Sequence, residues 1–226
     1  MANAAGDRDY DFVLSDVDGS YPTTSGWYDE YKDNYTAGRF SLQVDSTAPY
    51  PEGVLQMIYP KGYSGGTSPG TVTYRHRVAG EYYIGFFFKI SKPYQNVSSN
   101  HNKIAYLYAE SGRDIVFEFF GPEPYHFGIA EYVSDSAGAE RDHWGKTPLE
   151  LANWYKVEIA ISYETGTITW WVNGAEDATF PASLHQTGGR GLVETQFSPT
   201  YGGGGLPVKP ESDYVWYNHV HMSGVP

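Results

Sequence analysis

Apolar and aromatic residues recur along the chain with a period of two, in short runs. These runs are "RFSLQV", "GVLQMIY", "TVTYRHRV", "EYYIGFFFKI", "NKIAYLYAE", "DIVFEFFG", "HFGIAEYV", "WYKVEIAISY", "GTITWWVNG", "LVETQFS" and "DYVWYNHVHMS". Side chains alternate across a strand, so a period of two marks strands with one face in a core. Clusters of Gly, Pro, Asn and Ser separate the runs. Many short strands spaced by turn signals predict an all-β sandwich or barrel. In "SYETGTITWWVNGAED", Glu164-Thr165-Gly166 reads as a tight hairpin and Asn173-Gly174 as a type I′ turn, which predicts a three-stranded meander. The one helical pattern is "TPLELANW", with Thr147 as N-cap, Pro148 after it and Glu150 completing a capping box. The first fifty residues are polar and turn-rich, and are expected to wrap the edges of the sheets. No repeat, linker or charge block interrupts the chain, so residues 1–226 read as one domain.

Composition narrows the picture. No cysteine is present, which removes disulfides and thiolate metal sites. Aromatic residues make up 17%, led by 21 tyrosines, more than a core requires. Tyrosine joins a flat apolar face to a hydroxyl, which suits sugar rings or a protein interface. The formal net charge of −12 opposes nucleic acid and anionic membranes as partners. No apolar run is long enough to span a membrane. The start, "MANAAGDRDYD", lacks the basic and apolar regions of a signal peptide. A secreted protein whose signal has been removed is the favoured expectation.

The stretch "GLVETQFSPTYGGGG" poses the functional question. Glu194 and Gln196 share one face of a strand, and an aromatic residue and four glycines follow. Polar residues on that face fit a surface open to water, and glycines fit a close approach of backbone to a ligand. A bulged corner with no ligand is the plainer alternative. "SDVDGSY" sets Asp16 and Asp18 before Gly19 like the start of a calcium loop, without the full ligand series of an EF-hand. His219 and His221 share a face of the last strand, an incomplete metal pair. Trp170 and Trp171 are adjacent on a strand, so one is core and the other faces outward.

From about Glu81 to Ser223 the chain resembles the concanavalin A-like jelly-roll group. The segments that carry the resemblance are "YYIGFFFKIS", "NWYKVEIAISYETGTITWWVNG", "ETQFSPTYGGGG" and "YVWYNHVHMSG". "HNKIAYLY" and "QFSPTYGG" are similar to the polysaccharide lyases of the glucuronan and heparin lyase type. The resemblance implies a two-sheet antiparallel β-sandwich, one sheet concave, with a glycan lying across it. It also implies a possible structural calcium, for which Asp16 and Asp18 are the candidate ligands, and no required cofactor.

Two chemistries could cleave such a glycan. Retaining hydrolysis needs two carboxylates about 5 Å apart. The E-x-D-x-x-E strand of laminarinase-type jelly rolls is absent, and Glu118, Glu131, Glu158 and Glu194 stand alone on their strands. β-Elimination needs a group that neutralises a uronate carboxylate, a base and an acid. The candidates are Gln196, Tyr201, His101 and Lys103 for catalysis. For substrate binding they are Glu194, Arg75, Arg77, Asn102, Trp171 and His219. The leading expectation is a lyase acting on a uronate-containing polysaccharide. The alternatives are a non-catalytic, lectin-like carbohydrate-binding module and, behind it, a structural surface protein.

Overall fold

The period-two runs form strands. The structure, a computed structural model, describes residues 8–12, 26–31, 37–78, 80–95, 102–109, 114–121, 123–132, 140–182, 192–202 and 208–224. The strands among them are β1 (Arg8–Tyr10), β2 (Trp27–Asp29), β3 (Phe40–Gln43), β4 (Val54–Tyr59), β5 (Val72–Val78), β6 (Glu81–Ile90), β7 (Asn102–Ala109) and β8 (Asp114–Phe120). They continue with β9 (Tyr125–Tyr132), β10 (Glu140–Leu149), β11 (Tyr155–Ser162), β12 (Thr167–Val172), β13 (Ala175–Pro181), β14 (Leu192–Tyr201) and β15 (Asp213–Gly224).

They make two antiparallel sheets. One has eight strands in the order β13-β12-β11-β6-β15-β4-β3, with β1 also pairing with β15. The other has seven, β10-β9-β8-β7-β14-β5-β2. The sheets stack as a sandwich around one aromatic core. Phe86 and Phe88 of β6 meet Phe117 and Phe119 of β8, each pair with ring centroids 6.1 Å apart. Trp27 stacks on Phe197 at 5.2 Å. All six are at most 1% exposed. Each contributes roughly 2–3 kcal/mol by leaving water.

The meander of β11, β12 and β13 is present. Asn173 and Gly174 join β12 to β13 with φ of 53° and 79°, the positive values a type I′ turn requires. The first fifty residues do more than wrap edges, since β2 and β3 are edge strands of opposite sheets. The helix expected at "TPLELANW" does not form. Thr147 and Pro148 belong to β10, where a register shift between Trp144 and Pro148 absorbs the proline. The amides of Lys146 and Thr147 donate to Asp177 Oδ1 at 3.0 and 2.7 Å, so a neighbouring strand takes the donors a helix start would present.

Candidate functional site

β14 carries two chemistries on its two faces. Thr195 and Phe197 point into the sandwich. The Thr195 hydroxyl there meets the Tyr82 hydroxyl and His76 Nε2, each at 2.8 Å. Glu194 and Gln196 point the other way, onto the outer face of the seven-stranded sheet. Register then aligns three rows on that face. Asp142, Ala130, Val116, Tyr106, Gln196, Thr73 and Tyr28 cross all seven strands. Trp144, Gly128, Glu118, Lys103 and Thr200 form the second row. Tyr108, Glu194 and Arg75 form the third.

The middle of this face is shielded from solvent. Thr73, Glu118, Val116 and Ala130 are fully buried, yet Val116 and Ala130 lie outside the main core. Around it the side chains bond one another. Arg75 Nε donates to Glu194 Oε2 at 3.1 Å, and Gln196 Nε2 donates to Glu194 Oε1 at 2.6 Å. Arg75 also lies 3.9 Å from Glu30. The Glu194 hydrogen bond raises the guanidinium pKa above its ordinary value. Burial, with Glu30 beside it, raises the Tyr28 phenol well above its own. Tyr106 and Tyr108 stack at 5.9 Å, and the Tyr106 hydroxyl is 3.3 Å from Thr200 Oγ1. Lys103 Nζ sits 5.8 Å from the Tyr106 ring centroid. At the far side Trp144 lies against Phe120, with ring centroids 3.5 Å apart, and covers Gly128, where a Cβ would come within 2.3 Å of the indole.

The structure brings four of the expected residues together: Gln196, Glu194, Arg75 and Lys103. Arg77 lies two positions beyond Arg75 on β5. His101, Asp16 and Asp18 lie outside the described residues. Among the described residues no group of three or more His, Asp or Glu side chains is arranged to hold a metal.

Four expected residues are elsewhere. Tyr201, expected beside Gln196 as a catalytic group, is not on its face: β14 runs through it, and its five-residue offset from Gln196 turns it inward. It is fully buried, and burial raises its phenol pKa. Asn102 is inward as well, accepting a hydrogen bond from the Tyr94 hydroxyl at 3.2 Å. Trp171 lies on β12 opposite Glu158, so it belongs to the outer face of the other sheet, while Trp170 is core. His219 shares that other face, paired with Asp11 at 2.9 Å and stacked on Tyr50. Of the glycine corner, Gly202 has φ 52°, and residues 203–207 lie outside the described residues.

Sequence reasoning missed Tyr106, Thr200, Tyr28, Thr73 and Trp144. Tyr106 was hidden by a bulge. Strict alternation puts Lys103 and Tyr106, three apart, on opposite faces; the register shift between Lys103 and Ala105 brings them to one. Thr200 was within reach, being an even offset from Gln196.

No family model matches the sequence, and no curated protein matches it. Solved structures do match the fold. An alginate lyase variant in complex with alginate trisaccharide aligns with a TM-score of 0.64 at 13% identity, covering 91% of this chain and 96% of that one. The endo-β-1,4-glucuronan lyase of the fungus Trichoderma reesei also gives 0.64, at 16% identity over 82% of this chain and 87% of its own. The binding domain of botulinum neurotoxin serotype D/C gives 0.53 at 13% identity over 82% of this chain and 43% of that one. The fold is a jelly-roll β-sandwich.

Proposed function

We propose that the outer face of the seven-stranded sheet is the active site of a polysaccharide lyase that cleaves a uronate-containing glycan by β-elimination. One observation carries the reading. Gln196 and Tyr106 stand side by side in register, with Lys103 and Thr200 in the next row of the same face. The fold is shared with alginate and glucuronan lyases. One variant of an alginate lyase, with a lysine and a tyrosine both changed to alanine, is solved with alginate tetrasaccharide. Lysine and tyrosine are the chemistry this face offers at Lys103 and Tyr106.

In this reading the Gln196 amide and the Lys103 ammonium hold the uronate carboxylate, which makes the C5 proton acidic. Tyr106, beside the Thr200 hydroxyl, is the proton carrier. Ionised Tyr106 takes the C5 proton, the C5–H electrons become the C4=C5 double bond, the C4–O bond breaks with its electrons on the leaving oxygen, and the Tyr106 phenol so formed returns the proton to that oxygen. Arg75 does not neutralise substrate, because Glu194 and Glu30 already face it. It positions Glu194, which orients the Gln196 amide.

The test is the ultraviolet absorbance of the unsaturated product with alginate, glucuronan and other polyuronates. Tyr106→Phe is expected to lower turnover by roughly 10²–10⁴-fold, and Gln196→Ala by roughly 10²–10³-fold. Absence of product from every polyuronate overturns the lyase. The second reading, a carbohydrate-binding module without catalysis, draws on the mutual pairing of Arg75, Glu194 and Gln196, which is complete before any ligand arrives. Retention on glycan gels with no product formed would select it.

A further inference from the structure

We infer that the opposite face of the sandwich carries a second saccharide site, one that takes a neutral sugar unit. It does not depend on the activity proposed above. The outer face of the eight-stranded sheet holds a cavity of about 340 Å³ between β1, the segment before β4, β6, β11 and β15. That volume falls in the range of small-ligand pockets. Tyr50 and Phe87 form an aromatic wall, their ring centroids 6.0 Å apart, and Tyr50 is 43% exposed. Gly85 leaves the floor at backbone level: a Cβ there would stand 3.2 Å from the Tyr83 hydroxyl and 3.5 Å from Glu158 Cγ.

The backbone is bent to build this wall. His219 has φ of 41°, a left-handed value that costs a non-glycine residue about 1–2 kcal/mol. It falls at the register shift between Asn218 and His221, and it lays the imidazole flat on Tyr50 at 3.7 Å and 6°. Bulges and strained positions alike gather beside binding sites.

Charge selects the ligand. Each nitrogen-bearing side chain here already faces a carboxylate: His219 with Asp11 at 2.9 Å, His221 with Asp9 at 2.8 Å, and Lys156 with Glu158 at 2.7 Å. A uronate therefore meets carboxylates and no unmatched cation among the described residues. The hydroxyls of a neutral hexose or pentose can donate to those carboxylates while its apolar face lies on an aromatic ring. The neutral glycan class separates this site from the polyuronate face across the sandwich.

Saturation-transfer NMR on the full chain with cellotetraose, xylotetraose and mannotetraose, and trigalacturonate as the charged control, tests the inference. Transfer to at least one neutral tetraose is expected. It should weaken about tenfold in Tyr50→Ala, weaken also in Asp9→Asn, and persist in Gln196→Ala. Asp9 is 66% exposed, so its variant decides the matter if Tyr50→Ala fails to fold. No transfer from any neutral probe, transfer unchanged in both pocket variants, or transfer from trigalacturonate alone overturns it.

Discussion

Arg75 with Glu194, and Lys209 with Asp213, are two ion pairs joined by β14 and the chain that follows it, and their surroundings are opposite. The Arg75 side chain is 68% exposed and Glu194 17%. Lys209 and Asp213 are 0% and 1% exposed. Lys209 Nζ lies 2.5 Å from Asp213 Oδ2, donates to the Gln95 carbonyl at 2.8 Å, and sits 3.8, 4.1 and 5.0 Å from the ring centroids of Tyr201, Tyr94 and Tyr59. Burial lowers its pKa to about 8 against the opposing pull of Asp213. The first pair can exchange partners with solvent or ligand; the second cannot. Tyr201, a catalytic candidate by sequence, is a wall of this buried cage.

The largest effect expected from this contrast is on stability. Lys209→Met leaves Asp213 buried without its cation and should cost about 3–5 kcal/mol in urea unfolding. Adding Asp213→Asn removes the stranded charge while keeping an oxygen for the Gln95 amide, which Asp213 accepts at 2.9 Å. The double variant should therefore recover a large part of the loss. A single-variant loss below about 1 kcal/mol would show that the cage admits water or relaxes, and the contrast with Arg75 would fail.

A second contrast separates the two faces of β14 by pH. His76 lies on the inner side, bonded to Thr195 and stacked on Tyr82 at 5.0 Å. Burial lowers its pKa from 6.5 to about 4. Between those values the unfolded chain binds more protons than the folded one, so stability is full above pH 6.5 and is lost as pH falls toward 4. The loss should reach about 2–3 kcal/mol across that window. His76→Gln should flatten the slope in thermal melts between those two pH values. Asp45, whose pKa is lowered to about 2 by its bonds to Lys89 and Thr47 despite burial, acts in a separate window below 3.8. A slope unchanged in His76→Gln would move the proton uptake to some other group.

Periodicity made most of this architecture legible. The eleven alternating runs became strands, and the Asn173-Gly174 turn joins β12 to β13. The helix at Thr147 failed because a capping pattern is local, whereas the Asp177 carboxylate that takes those amides comes from another strand. Of the candidate site, alternation alone placed Glu194 with Gln196. Sharing a face with Arg75 and Lys103 depended on the register of three strands, which no single run encodes. Trp171 and His219 were misplaced for the same reason. Alternation says that a side chain faces outward, but not from which sheet. Tyr106 needed the bulge before Ala105, and nothing in "NKIAYLY" announces one.

The smallest stability effect, and the sharpest division of roles, belongs to Arg75. Arg75→Ala removes an exposed pair and should change unfolding free energy by less than about 1 kcal/mol. Its consequence should appear in the ligand. Without Arg75, the Gln196 amide is the side-chain donor left to Glu194 among the described residues, and on the lyase reading Glu194 draws that amide away from a substrate carboxylate. On the proposed lyase reading, turnover of polyuronate should then fall by roughly tenfold, about 1.4 kcal/mol in transition-state terms. The double variant Arg75→Ala with Glu194→Gln removes the competing charge and should restore part of the loss. If turnover fell equally in both variants, Arg75 would be touching substrate directly, and the outer pair would be binding machinery instead of a positioning device.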